Sequence, residues 1–329
     1  MDYINYVKQS PIQGLTGLWG GTQGALQQAA SSGGGNESYY GGYGFIQESN
    51  TNYFWNLASS SDASGFGNMS TPRTDASATS GGTTAGESNR GIFAGGDASA
   101  ASDSIGYVTA SGSPADASNF GDLSPSRASP AACSNGLRAC IGGGSPQTND
   151  IQYVTVATTG NSTEFGDLTQ DRSGIDSISG GTRGIWANGQ SPHFNVIDYV
   201  VIATTGNATD FGDTTIARTF GCGTNSDPGS GQNRGVFMAG HSGVEDHVDY
   251  ITCASTGNAT NWGELSSNHA YRCGGGTNGS KGFCGGGADS GGDRISYLTI
   301  DTTGASSNAG VYLKVVVVVE DGLEDRTLL

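Results

Sequence analysis

The side chains able to do chemistry fall in two patterns. In the first, an acid precedes a base by five residues: Asp167 with Arg172, and Asp213 with Arg218. A carboxylate and a guanidinium that close together could hold an anion or orient a substrate. Both pairs, however, stand at the same place in successive copies of one motif, whereas catalysis needs a single constellation. A copied pair reads instead as a hydrogen bond that fixes a turn or joins neighbouring units, with Arg able to engage a carboxylate through two donors. The second pattern is scattered. Of four histidines, His193, His241 and His247 occupy loop-like positions, and Glu245 and Asp246 sit beside His247. Imidazole and carboxylate can ligate zinc, but the spacing is irregular, and no metal is expected. The chain is rich in Ser yet has no G-x-S-x-G elbow. No catalytic residue and no cofactor are assigned.

Six cysteines complete the inventory: Cys133, Cys140, Cys222, Cys253, Cys273 and Cys284. None lies in C-x-x-C spacing, which argues against a zinc ribbon or a redox pair. Cys253 falls where other copies of the motif have Val156 or Ile202, and Cys284 where others have Phe93, Trp186 or Phe237. They are expected to be reduced, buried thiols behaving as small hydrophobes, as in a reducing compartment.

The element that positions all these residues is a repeat. IDYVVIATTGNATDFGDTTIAR (197–218) recurs as IQYVTVATTGNSTEFGDLTQDR (151–172), as VDYITCASTGNATNWGELSSN (248–268) and, more loosely, as IGYVTASGSPADASNFGDLSPSR (105–127). Each copy has a Tyr-centred apolar strand and a TTGN-type turn tolerant of positive φ. An aromatic-Gly step follows: Phe66, Phe120, Phe165, Phe211 and Trp262 head it. An Arg comes seven residues later in four copies (Arg73, Arg127, Arg172, Arg218) and displaced, at Arg272, in the fifth. A short strand opened by Arg90, Arg138, Arg183, Arg234 or Lys281 closes the unit. Phe120, Phe165, Phe211 and Trp262 are expected to be core residues, and Asp167, Arg172, Asp213 and Arg218 structural ones.

The aromatic steps lie 54, 45, 46 and 51 residues apart. A near-constant period of 45–54 residues with about four strands per unit predicts an all-β fold, a β-propeller with four-stranded antiparallel blades. Six blades are the first expectation and seven, with one blade shared between the ends, the alternative. One propeller domain is predicted overall. Residues 1–50 form a degenerate first repeat and possible docking segment, 51–304 the regular repeats, and 305–329 a closing strand and acidic tail. The run Ser38–Tyr43 is read as a Tyr/Gly loop, and Tyr39, Tyr40 and Tyr43 as docking candidates, because Tyr offers large contact area at low entropic cost. His193, His241, Glu245 and Asp246, outside the repeat, are the other binding candidates.

Composition agrees. The 57 glycines suit short strands and tight turns and disfavour helices. A formal net charge of -16 with only 14 Lys and Arg excludes a basic footprint for nucleic acid and disfavours anionic membranes. No signal peptide is visible at the N-terminus, and no apolar run reaches the length of a membrane span. The sequons at Asn161, Asn207 and Asn258 coincide with the repeat's turn and are read as turn chemistry.

With these motifs assembled, the run YVVIATTGNATDFGD…AR…RGVF resembles the kelch-like propeller repeats of marine bacteriophages, especially those of cyanobacteria. The resemblance spans roughly residues 53–304 and is strongest over 144–263. The spaced Tyr and Trp of typical kelch blades, the S-x-D-x-G-x-T-W box of sialidases and the Tyr-Cys-His set of copper-radical oxidases are not found. The resemblance implies a non-enzymatic virion structural protein: tail fibre, tail-associated or surface-decorating. Several copies would be assembled in the host cytoplasm with other virion proteins. The loops would meet a host surface glycan or protein, without nucleic acid or membrane insertion. A secreted bacterial carbohydrate-binding propeller is the alternative reading, and a glycan-processing enzyme the third.

Overall fold

The structure, a computed structural model, describes residues 29–31, 36–40, 43–48, 51–56, 64–80, 88, 90–97, 99–109, 115–190, 192–226, 233–241, 243, 245–269, 273–277, 280–286, 294–304 and 306–312. The described strands are β1 (Ala29–Ser31), then a first blade of β2 (Asn36–Tyr40), β3 (Tyr43–Glu48), β4 (Thr51–Asn56) and β5 (Ser64–Asn68). The second blade is β6 (Ser77–Ser80), β7 (Arg90–Ala94), β8 (Ser104–Thr109) and β9 (Ser118–Asp122). The third is β10 (Ala131–Ser134), β11 (Arg138–Gly142), β12 (Thr148–Thr155) and β13 (Thr163–Arg172). The fourth is β14 (Asp176–Ser179), β15 (Arg183–Ala187), β16 (Phe194–Val201) and β17 (Thr209–Arg218). Two further four-stranded meanders follow: β18 (Cys222–Asn225), β19 (Arg234–Met238), β20 (His247–Thr252) and β21 (Thr260–Glu264), then β22 (Cys273–Thr277), β23 (Lys281–Gly286), β24 (Arg294–Thr299) and β25 (Ser307–Tyr312).

The fold is an antiparallel β-propeller, with one correction to its count. Among the described residues there are five hydrogen-bonded sheets, four of four strands and one of nine, rather than six or seven separate blades. The reason is β1. It pairs antiparallel with β18 (Ser31 opposite Cys222) and with β22 (Ala30 opposite Gly275), and so fuses the last two meanders into a double blade. The innermost strands β2, β6, β10, β14, β18 and β22 meet in chain order, and β22 returns to β2, which closes the ring. Strand β1 touches every one of them and therefore occupies the central axis. Space there is tight: a Cβ added to Gly223 would stand 2.3 Å from the Ser177 carbonyl. Residues 29–31, expected within a docking segment, are thus used inside the ring. The Asp2–Ile4 and Val315–Val319 strands expected from sequence lie outside the described residues.

A blade also begins at a different phase from the sequence repeat. The Arg-opened strand is the second of its blade, the Tyr strand the third, and the aromatic-Gly strand the outermost. The Ser38–Tyr43 loop is corrected to strand: β2 and β3 form a hairpin in which Tyr40 opposes Tyr43. His247 likewise opens strand β20 rather than lying in a loop, and it is buried.

The aromatic-Gly step is a β-bulge, and the same one recurs from the second to the fifth meander. Ile197 pairs with Gly212 and Asp198 with Asp210, so Phe211 is the extra residue without a partner. Ile151–Gly166, Val248–Gly263 and Ile105–Gly121 repeat the pattern around Phe165, Trp262 and Phe120. A bulge re-aims a side chain, and these four aromatics turn inward to 3% exposure each. The glycine is required because the next blade's turn packs on it. Gly166 has φ +150°, and a Cβ there would meet the Gly206 carbonyl at 2.4 Å.

Candidate functional site

The repeat's polar residues are consumed in joining blades. Gly206 N–H donates to the Phe165 carbonyl (2.8 Å), Ala208 N–H to the Asp167 carbonyl (2.7 Å), and Asp167 N–H to Asn207 Oδ1 (3.2 Å). The same bonds recur one blade on, from Gly257, Ala259 and Asp213, the last donating to Asn258 Oδ1. The sequon asparagines are thus turn residues that grip the preceding blade's outer strand. The basic residue opening each second strand stacks on the Tyr of its own blade: Arg183 lies 4.4 Å from the Tyr199 ring centroid and Arg234 4.4 Å from that of Tyr250. The same guanidinium reaches the next blade, with Arg183 Nη1 donating to the Cys253 carbonyl (3.1 Å). Tyr199 meets Phe211 edge-on at 5.8 Å.

The acid–base pairs form, but with different partners from those the spacing suggested. Arg172 pairs with Asp198 at 2.6 Å and Arg218 with Asp249 at 3.0 Å, all four side chains being 0% exposed. Arg127 pairs with Asp150. Asp167 and Asp213 instead supply backbone groups to the outer ladder described above. The acid that matters is the one before the strand Tyr, on β16 or β20, because the guanidinium at the end of an outer strand folds back across its neighbour's third strand. Thr169 Oγ1 donates to Asp198 (2.7 Å), and Arg172 Nη1 donates to the Asn188 and Val196 carbonyls (2.9 and 2.8 Å). At the seventh residue after Trp262 stands His269, not the displaced Arg272, which lies outside the described residues. His269 is fully buried, its Nε2 2.9 Å from Ser296 Oγ, and Ser296 takes the place of Asp198.

Burial sets the electrostatics. Desolvation lowers the Arg73 guanidinium to about 10. For Asp249, burial alone would raise the carboxyl. The hydrogen bond from His247, the Arg218 charge and the Thr215 hydroxyl outweigh it, so its pKa lies below the ordinary carboxylate value. An unfolded Asp titrates near about 3.9. A depressed folded pKa therefore contributes stability that is full above that value and lost as pH falls through the folded one. The urea midpoint is expected to drop between pH 5 and pH 3, and Asp249→Asn to shed part of that dependence. An unchanged acid profile in the variant would count against this assignment.

Outside the repeat, the structure brings two of the binding candidates together. His193, exposed in the β15–β16 connection, and His241, half-buried in the β19–β20 connection, lie on neighbouring meanders with ring centroids 6.0 Å apart and planes at 84°. Backbone bonds between His241 and Thr219 hold that loop (2.7 and 3.3 Å). Glu245 and Asp246, half-buried in the same connection, accept the His269 and Leu265 N–H groups on their carbonyls. Tyr40 and Tyr43 flank the β2–β3 turn, at the opposite end of the strands by topology, so the Tyr and His candidates do not share a site.

Sequence reasoning missed one cluster. Cys222, Cys273 and Cys284 converge, with their sulfurs within 4.8 Å of one another and all three fully buried. The hydrogen bonds from Cys222 and Cys284 hold the Cys273 thiol well below its ordinary value, while desolvation pushes Cys222 well above it. The 51- and 11-residue separations carry no local signature. The only available signal was the coincidence of three thiols at repeat positions that face one another.

These features define a β-propeller whose repeat motif is structural. Comparison with known proteins agrees at the level of fold. Among 417 matching solved chains is the structure of YjhT, 11% identical, covering 84% of this chain and 97% of that one with a TM-score of 0.62. Such a likeness carries the fold alone. No protein-family model and no curated protein matches the chain.

Proposed function

We propose that the chain is a non-enzymatic structural or adhesive protein of a bacteriophage virion, a kelch-like propeller that presents loops on a rigid ring. The observation that carries this reading is the fate of the repeat's acid–base pairs. Arg172–Asp198 and Arg218–Asp249 are buried scaffold contacts, whereas exposed His193 and half-buried His241 stand in connections outside the repeat. The resemblance of the repeat to marine phage propellers supplies the virion setting, with other virion proteins as partners and a host surface glycan or protein as the target.

The test is mass spectrometry and antibody labelling of density-purified particles from the producing culture. The protein is expected in several copies per particle. Replacing residues 240–246 by a Gly/Ser loop is expected to leave incorporation intact and reduce adsorption to the host. Abundance in the lysate with absence from particles would overturn the virion role. Turnover of a glycan by the purified chain would overturn the non-enzymatic one.

A further inference from the structure

We propose that Cys222, Cys273 and Cys284 form a binding site for one thiophilic d10 metal ion, Cu(I) or Zn(II), inside the double blade. The three sulfurs lie within 4.8 Å of one another, and Cys222 and Cys284 are 3.5 Å apart. A metal–sulfur bond of about 2.3 Å places thiolates about 3.8–4.0 Å apart in tetrahedral or trigonal coordination. With one edge at 3.5 Å and every edge no longer than 4.8 Å, the sulfurs stand close to those separations, so an ion needs only small side-chain shifts to enter.

The position within the repeat argues that this is more than apolar filling. Cys222 and Cys273 open the inner strands β18 and β22, where Ala131 and Asp176 open β10 and β14. Cys284 takes the place of Trp186 in β15, and the Trp186 indole spans the gap between blades to donate to the Ala131 carbonyl (3.0 Å). One junction is thus bridged by a large aromatic and the other by three thiols. The junction lies beside the C-terminal end of β1, since Ser31 pairs with Cys222. An ion there would tie β18, β22 and β23 together at the point where two meanders share a sheet.

The surroundings restrict the ligand. Val236, Met238, Val248, Leu265 and Leu298 belong to the same buried cluster. An all-sulfur donor set in a dry pocket suits soft or borderline ions and rejects oxygen-seeking Mg(II) and Ca(II). Among the described residues no His, Asp or Glu ligand atom joins the three sulfurs. Three-coordination favours Cu(I), whereas Zn(II) needs a fourth donor. Each thiol that ligates releases its proton to solvent. Burial means that the ion loads as the chain folds.

The experiment uses the full chain produced in medium supplemented with zinc or with copper and purified under reductant, with metal counted by elemental mass spectrometry. About one ion per chain is expected from one of the two preparations. Anaerobic titration of the metal-free protein with Cu(I) or Zn(II) is expected to raise its melting temperature and add a sulfur-to-metal ultraviolet band. Cys284→Phe restores the aromatic found at Phe93 and Phe237, and Cys222→Ala the residue found at Ala131; each is expected to fold and to lose the ion. Cys140→Ala, outside the cluster, is expected to keep it. Substoichiometric metal in both preparations with no shift in either titration would overturn the site. So would retention of the ion by the two cluster variants, or a Cys222–Cys284 disulfide that, once reduced, takes up neither metal.

Discussion

Replacing Asp198 by alanine is expected to destabilise the protein by about 3–5 kcal/mol, the cost of stranding a buried charge when its partner is removed. Both members of the Arg172–Asp198 pair are 0% exposed. Asp198 accepts from Arg172 Nη2, from Thr169 Oγ1 and from the Thr169 N–H. Truncation leaves the guanidinium hydrogen-bonded only to carbonyls, with the Asp176 carboxylate alone to offset its charge. Asp167→Ala is the informative contrast. Its backbone N–H and carbonyl carry the contacts to the neighbouring blade, and alanine keeps both. Its effect is expected to stay within about 0.5 kcal/mol, as for ordinary surface positions. Urea midpoints of the two variants decide the pairing. A costly Asp167→Ala beside a near-neutral Asp198→Ala would restore the partner suggested by sequence spacing.

That contrast marks what was legible in the chain. The period, the Tyr strands and the aromatic steps are local patterns, and they name the propeller and place Phe120, Phe165, Phe211 and Trp262 in its core. Partners are not local. Arg172 lies five residues after Asp167 but folds onto Asp198, 26 positions on, because it ends β13, the outer strand of the third blade, and reaches across to β16 of the fourth. His269 escaped notice because identity, not position, was followed from copy to copy: the seventh residue after the aromatic is the invariant, and it is His in the last case. The blade count was obscured by three small residues, 29–31, which have no repeat signature and whose strand pairs with both meanders. The thiol cluster needs the topology before its members become neighbours.

Phe211→Ala is expected to cost about 3–5 kcal/mol, the range for deleting a buried aromatic. The ring is 3% exposed and lies in a core with Ile178, Ile185, Ile197, Phe237, Ile251 and Cys253, drawn from the fourth blade and from the meander that follows it. Its loss also removes the edge contact to Tyr199, on which Arg183 is stacked before reaching the next unit's turn. The damage should therefore weaken the grip between successive meanders as well as open a cavity. Phe165→Ala is expected to match it, since Phe165 is equally buried and meets Tyr153 at 5.9 Å and 82°. Gly212→Ala separates backbone from packing. It keeps the ring but adds a Cβ at φ +144°, 2.6 Å from Gly257, so it too should destabilise, through strain at the blade contact. If denaturant melts find both Phe variants near-neutral while Gly212→Ala remains costly, the bulge serves only the backbone ladder and the aromatic is not the core residue its burial indicates.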